Sequence, residues 1–238
     1  MATAVRTDGL TRALLACGAI AGPLFVAVFL LEEATRAEYD PLRHPVSSLA
    51  LGALGWTQRA NFLVTGLLTL AFGIGVRRAL QVRGGSRWGP LLIGAIAIGF
   101  LGAGVFVTAP LNGYPPGTPD LPTERSTAGV LHDLFSALVF LGFPAACLVL
   151  GRRFVAWGES GWARYSIGTG VAFFGAFVLT SVGFRHLAGG ALADVAGLLQ
   201  RVTLVIGFAW LTLLAVHLLR SSGDVRAPGR GRVAPGIS

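Results

Sequence analysis

A chain of 238 residues with 53% hydrophobic and only 13% charged side chains falls well short of the roughly 25% charge that keeps a soluble domain's surface in water. The formal net charge of +8 and a pI near 11.1 would suit a nucleic-acid binder, but the basic residues lie between long apolar runs and form no continuous basic face, so nucleic acid is excluded as a partner. Solvation by lipid accounts for the mean hydropathy of +0.69.

A hydrocarbon core about 30 Å thick takes roughly 20 helical residues to cross. Uncharged runs near that length occur at 13–31, 60–76, 88–110, 134–151, 165–184 and 202–219. They are continuous rather than alternating, which predicts an all-α bundle of six transmembrane helices and excludes a β-barrel. The first run follows Arg6 and Arg12 and is too long for the apolar core of a signal peptide, so it reads as an uncleaved span. Cys17 and Cys147 lie inside apolar runs and outside any CxxC spacing, so they read as small buried hydrophobes, and no cofactor is expected.

Between the first two spans, residues 45–55 are apolar but too short to cross, which predicts an interfacial or re-entrant helix with Ser47 or Ser48 near its start. In the third span, Ala95, Gly99 and Ala103 recur every four residues on one face, the spacing that lets membrane helices approach closely. The next connection holds Pro110, Pro115, Pro116, Pro119 and Pro122, which predicts a stiff, extended loop able to cover one end of the bundle. Pro144 marks a kink in the fourth span. Trp56, Trp88, Trp157 and Trp162 fall near predicted boundaries, where indole is favoured at the headgroup level.

Arginine sets the direction. All nineteen basic residues are Arg, and thirteen fall in the N-terminal tail, the second and fourth connections and the C-terminal tail. The positive-inside rule therefore puts both termini in the cytoplasm of a multi-pass cell-membrane protein. Residues 1–12 become a cytoplasmic tail, 13–219 the membrane domain, and 220–238 a disordered cytoplasmic tail rich in Gly, Pro and Arg. Eight of the eleven acidic residues, among them Glu32, Glu33 and Asp133, fall on the opposite, outer side.

The outer connections hint at an internal repeat. Arg43-His44, then thirteen residues, then Gln58-Arg59 is matched by Arg185-His186, thirteen residues and Gln200-Arg201. Gly55 and Gly197 each precede the Gln by three, and Gly129 stands in the same relation to His132-Asp133. If the repeat is real, three outward hairpins surround a common axis, and Asp133 lies between the guanidiniums of Arg59 and Arg201. Glu32 or Glu33 with Arg36 is a weaker local pair.

The candidate site is therefore an outer polar cluster of His44, Gln58, Arg59, His132, Asp133, His186, Gln200 and Arg201. Three outer histidines beside Asp133 admit transition-metal chemistry, and His132, Asp133 and Ser136 admit nucleophilic or proton-transfer chemistry. No HExxH, HxxxH or paired CxxC supports a metal, and backbone-bonded histidines are the commoner case. His217 reads as structural or interfacial.

The stretch HPVSSLALGALGWTQRANFLVTGLL, together with TAGVLHD and GLLQR, resembles the prokaryotic membrane family called domain of unknown function 998 (DUF998). The resemblance covers roughly residues 13–219. It implies a six-span membrane protein and carries no catalytic residues over. A more distant likeness is to metal-dependent transmembrane hydrolases of the alkaline ceramidase type, which place two His one turn apart on a late helix. Here His186 and His217 lie far apart, on opposite predicted sides. The leading expectation is a non-enzymatic membrane protein whose outer cluster binds a small ligand, a lipid headgroup or a partner. The alternatives are a metal-assisted hydrolase at the outer leaflet and a small transporter.

Overall fold

The computed structural model describes residues 8–81, 84–120, 126–185 and 190–221. In chain order it contains α1 (Gly9–Thr35), a 3₁₀ turn (Val46–Ala50), α2 (Gly55–Gln81), α3 (Trp88–Val105), α4 (Thr127–Ala156), α5 (Ser160–Phe184), the one-turn α6 (Gly190–Ala193) and α7 (Ala196–Ser221). All but α6 and the 3₁₀ turn are long and apolar enough to cross a bilayer, so the protein is a six-span membrane bundle. The terminal tails lie mostly outside the described residues.

Most helices run beyond their uncharged runs because polar caps set their ends. Asp8 Oδ1 accepts from Thr11 N–H at 2.9 Å to start α1, and Ser126 Oγ accepts from Gly129 N–H at 3.1 Å to start α4. Helix α4 continues through Pro144 without interruption. Helix α3 stops at Val105, short of the expected 110, and Phe106 turns extended with its N–H still on the Gly102 carbonyl.

Each long helix packs on its neighbours in chain order, and α7 returns to α1, so six antiparallel helices close a ring. Neighbours across both ends of the bundle pack alike, so the ring is continuous and does not single out the three hairpins suggested by the sequence. Lipid offers no hydrophobic drive for helix association, so close contact must supply it. Glycine permits that contact: a Cβ on Gly99 would lie 2.7 Å from the Phe135 carbonyl oxygen, and one on Gly102 would strike the Phe135 ring.

The centre is aromatic. Phe25, Phe62, Phe100, Phe143, Phe173 and Phe208 come one from each long helix, and all are buried. Phe25 lies 5.8, 5.3 and 5.0 Å from Phe62, Phe100 and Phe208, and Phe143 joins Phe208 to Phe173 at 5.6 and 5.2 Å. These offset and edge contacts plug the ring at mid-height. Outside it, Leu67, Ile74, Ile98, Leu141, Val171 and Leu213 are exposed, the face a lipid-solvated bundle presents.

Candidate functional site: a cavity beneath the first connection

The connection between α1 and α2 caps the ring at the end opposite the termini. It holds less helix than residues 45–55 were expected to form. Its apolar segment makes the five-residue 3₁₀ turn, with Val46, Ser48, Leu49 and Ala50 buried against the bundle. Three connections meet there. Leu198 N–H donates to the Leu42 carbonyl at 3.0 Å, Val46 N–H to Gln200 Oε1 at 2.8 Å, and Asn112 Nδ2 to the Arg43 carbonyl at 2.9 Å. Partly exposed Arg43 reaches Asp120 at 3.8 Å and Asp194 at 3.6 Å, pairs that add little in water. The proline-rich connection is compact rather than extended. Asn112 N–H donates to the Asp120 carbonyl at 2.8 Å, with positive φ at Asn112, Gly113 and Gly117 turning the chain. Residues 121–125, including Pro122, lie outside the described residues.

His44 is the hub of this cap. Its Nδ1 accepts from Asp40 N–H at 2.8 Å, and its Nε2 lies 3.1 Å from the Asn112 carbonyl, which fixes a neutral ring donating from Nε2. Tyr39 and Tyr114 flank the ring at 5.3 and 5.1 Å. Burial holds the His44 pKa below its ordinary value, against the opposing pull of the Asn112 carbonyl and of Asp40. Tyr39 donates to the carbonyls of His44 and Pro45 and accepts from Arg201 Nη2 at 2.7 Å. Its burial raises the phenol pKa despite Arg201.

Arg201 is almost fully buried and reaches Glu33, not Asp133. Its Nε and Nη2 each lie 2.8 Å from Glu33 Oε2, while Nη1 donates to the carbonyls of His44 and Gly197 at 3.0 and 2.9 Å. Arg59 is exposed and donates from Nε to the Gly104 carbonyl at 3.1 Å. The expected Arg59–Asp133–Arg201 arrangement is therefore wrong: on α7 the Arg faces α1, where Glu33 is nearer to hand. Arg36 still acts on Glu32 through its charge, but its Nη2 bonds elsewhere, donating to the carbonyls of Leu49 and Leu54 and to Thr57 Oγ1.

Between this cap and the phenylalanine plug lies a cavity of about 610 Å³. Phe25, Phe62 and Phe100 form its floor, Phe140 and Phe177 one apolar wall, and Pro45, Val46 and Ser47 part of its roof. His132, Asp133 and Ser136 on α4, Thr180 and Ser181 on α5 with Arg185 just past its end, and Gln200 on α7 supply the polar lining. His132 Nδ1 lies 2.9 Å from the Phe106 carbonyl, so its ring proton sits there and Nε2 is the acceptor.

Of the eight candidate residues, the cavity collects His132, Asp133 and Gln200; His44 and Arg201 hold the cap above it. Gln58 is buried on α2 and accepts from Asn61 Nδ2 at 3.1 Å. Arg59 faces outward, and His186 lies outside the described residues. Among the described residues no group of three His, Cys, Asp or Glu is placed to hold a metal ion. His217 lies at the other end of α7, where Nε2 is 2.9 Å from Glu159 Oε2 and the ring packs on Trp162 at 4.3 Å.

Sequence reasoning missed Thr180, Ser181, Phe140 and Phe177. They are ordinary span residues, and in helices apolar on every side no periodicity separates a lining position from a lipid-facing one. Arg185 carried a signal, as the residue matching Arg43 in the suspected repeat.

No curated protein and no solved structure matches the chain. The family described as "Protein of unknown function (DUF998)" matches residues 19–217, reaching from α1 into α7. The chain belongs to that family.

Proposed function

We propose that this is a non-enzymatic binding protein of the cell membrane, which holds a small amphiphile in the cavity beneath the first connection. The carrying observation is the division of the cavity's lining: a phenylalanine floor and wall below, and His132, Asp133, Ser136, Thr180, Arg185 and Gln200 above. Its size is that of a small-molecule site, and its polar groups are few and convergent, as orientation of one ligand requires. Asp133 and Arg185 offer charges of both signs to a zwitterionic headgroup, and the rings offer room for the first carbons of a chain. The arginine distribution supports cytoplasmic termini, and on that reading the cavity serves the outer leaflet. The aromatic plug supports a one-sided site over a transport path, since passage would require six packed rings to move.

The test is binding of a dansyl-labelled lysophospholipid to the purified protein in nanodiscs. Ser136→Trp and Thr180→Trp fill the cavity and abolish saturable binding, whereas Leu67→Trp on the lipid-facing surface leaves it unchanged. Saturable binding that survives both cavity-filling variants rejects this reading.

A further inference from the structure

A second polar feature lies outside that cavity, at the α1–α2 interface. Glu32 is 8% exposed, and neither of its carboxylate oxygens has a hydrogen-bond partner. Ser48 Oγ in the 3₁₀ turn and Gln58 Nε2 on α2 are also buried and unpartnered. Below them on α2, Asn61 Oδ1, Thr65 Oγ1 and Thr69 Oγ1 continue the series. Positions 58, 61, 65 and 69 follow helical spacing, so they form one polar file reaching roughly 16 Å down the helix. Phe72 and Val76, both fully buried, close its far end. The file therefore leads only toward the first connection.

An ionised carboxylate with no bonded partner is among the costliest groups to place inside a membrane bundle, and a proton removes that charge. The groups that could favour its charged form are committed elsewhere. Thr57 lies close enough to act on the carboxyl, but its hydroxyl proton goes to the Leu54 carbonyl at 2.7 Å. The 3₁₀ turn and α2 present neutral Ser48 and Gln58, Arg59 faces the Gly104 carbonyl, and Arg201 on α7 is engaged by Glu33. Arg36, one turn along α1, is the charge that acts on Glu32, but its Nη2 is tied to Leu49, Leu54 and Thr57.

We propose that Glu32 is a proton-binding site and that its deprotonation draws Arg36 off the carbonyls of Leu49 and Leu54, loosening the turn that roofs the cavity. The balance is simple. The carboxyl O–H bond breaks, the proton leaves toward the first connection, and the Arg36 guanidinium replaces it as counter-charge. Gln58 Nε2 is placed to donate to the new carboxylate.

The experiment uses the full chain in detergent with no ligand, so its outcome is independent of what the cavity holds. In a Cys17→Ala, Cys147→Ala background, maleimide labelling of Ser48→Cys is followed against pH and normalised to Gly52→Cys, an exposed position. Infrared spectra of the same samples report protonated carboxyl. The expected result is a several-fold rise in normalised labelling as pH increases, together with loss of a protonated-carboxyl band. In Glu32→Gln the band is absent and the rise disappears. Arg36→Gln, which keeps Glu32, labels rapidly at every pH and serves if Glu32→Gln does not fold. The proposal is overturned if Glu32→Gln keeps the band or the wild-type labelling profile, or if Arg36→Gln keeps that profile.

Discussion

Arg201 and Glu33 join the last long helix to the first, with Nη2 and Oε2 2.8 Å apart and side chains 9% and 14% exposed. The bond lies where α7 closes the ring onto α1, and the same guanidinium carries the His44 carbonyl and the Tyr39 hydroxyl of the cap. Removing one partner leaves the other charge buried and uncompensated, a loss of about 3–5 kcal/mol. Arg201→Gln and Glu33→Gln should therefore each lower the melting temperature in detergent sharply, and the double variant should lose less than the two losses combined. Asp133 is exposed at the cavity rim, so Asp133→Asn should stay within about 0.5 kcal/mol of wild type. A large loss on Asp133→Asn, with a small one on Arg201→Gln, would restore the pairing expected from the sequence.

Two glycines of the suspected repeat share a physical task. A Cβ on Gly197 would stand 2.6 to 2.8 Å from the carbonyl oxygens of His44, Pro41 and Leu42, and one on Gly55 would collide with the Ala50 carbonyl. Both lie under the backbone of the first connection, which cannot retreat without giving up its bonds to α7 and to the proline-rich connection between α3 and α4. Gly197→Ala and Gly55→Ala should each cost about 1–3 kcal/mol through overpacking. Gly168, on α5, has nothing within 4 Å of its would-be Cβ, and Ala there should be neutral or gain up to about 1 kcal/mol of helix propensity. Thermal melting of the three variants checks the contrast. Equal effects at Gly168 and Gly197 would remove the packing argument.

The spans were legible because a thirty-ångström slab imposes one length on every helix, and no soluble fold produces six such runs. Close packing at the helix ends was legible in the glycines at 55, 129 and 197, since close backbone approach leaves a mark in residue type. Partners were not. Arg201 could be seen to need a carboxylate, but the choice between Glu33 and Asp133 depends on which way α7 rotates, and a helix apolar on every side does not encode that rotation. The cavity escaped for a related reason. Ser136, Thr180 and Phe177 take on meaning only once α4, α5 and α7 are set around a common space.

The direction of the bundle is open to direct measurement. Thirteen arginines on the side of the termini predict that Gly52→Cys, exposed in the first connection, reacts with a membrane-impermeant maleimide in intact cells. Gly158→Cys, at the α4–α5 turn, should react only after the cells are opened, when both are made in a background lacking Cys17 and Cys147. The reverse pattern would turn the protein over and place the cavity in the inner leaflet.

His44 predicts a pH dependence whose sign follows from its bonds. As a neutral ring it accepts from Asp40 N–H at Nδ1, and protonating that nitrogen would set two donors against each other at 2.8 Å. Burial is the main reason its pKa lies below the ordinary 6.5, with Arg43 and Arg201 acting in the same sense and the Asn112 carbonyl and Asp40 against it. The unfolded chain therefore takes up this proton more readily than the folded one. Stability from this group is complete above about pH 6.5 and is lost as pH falls from there toward the folded value. Melting temperature measured in detergent should decline on acidification through that window. The decline should be reduced in His44→Gln, whose side chain keeps polar atoms near both backbone partners and takes up no proton. Parallel curves for wild type and variant would assign the acid sensitivity to another group.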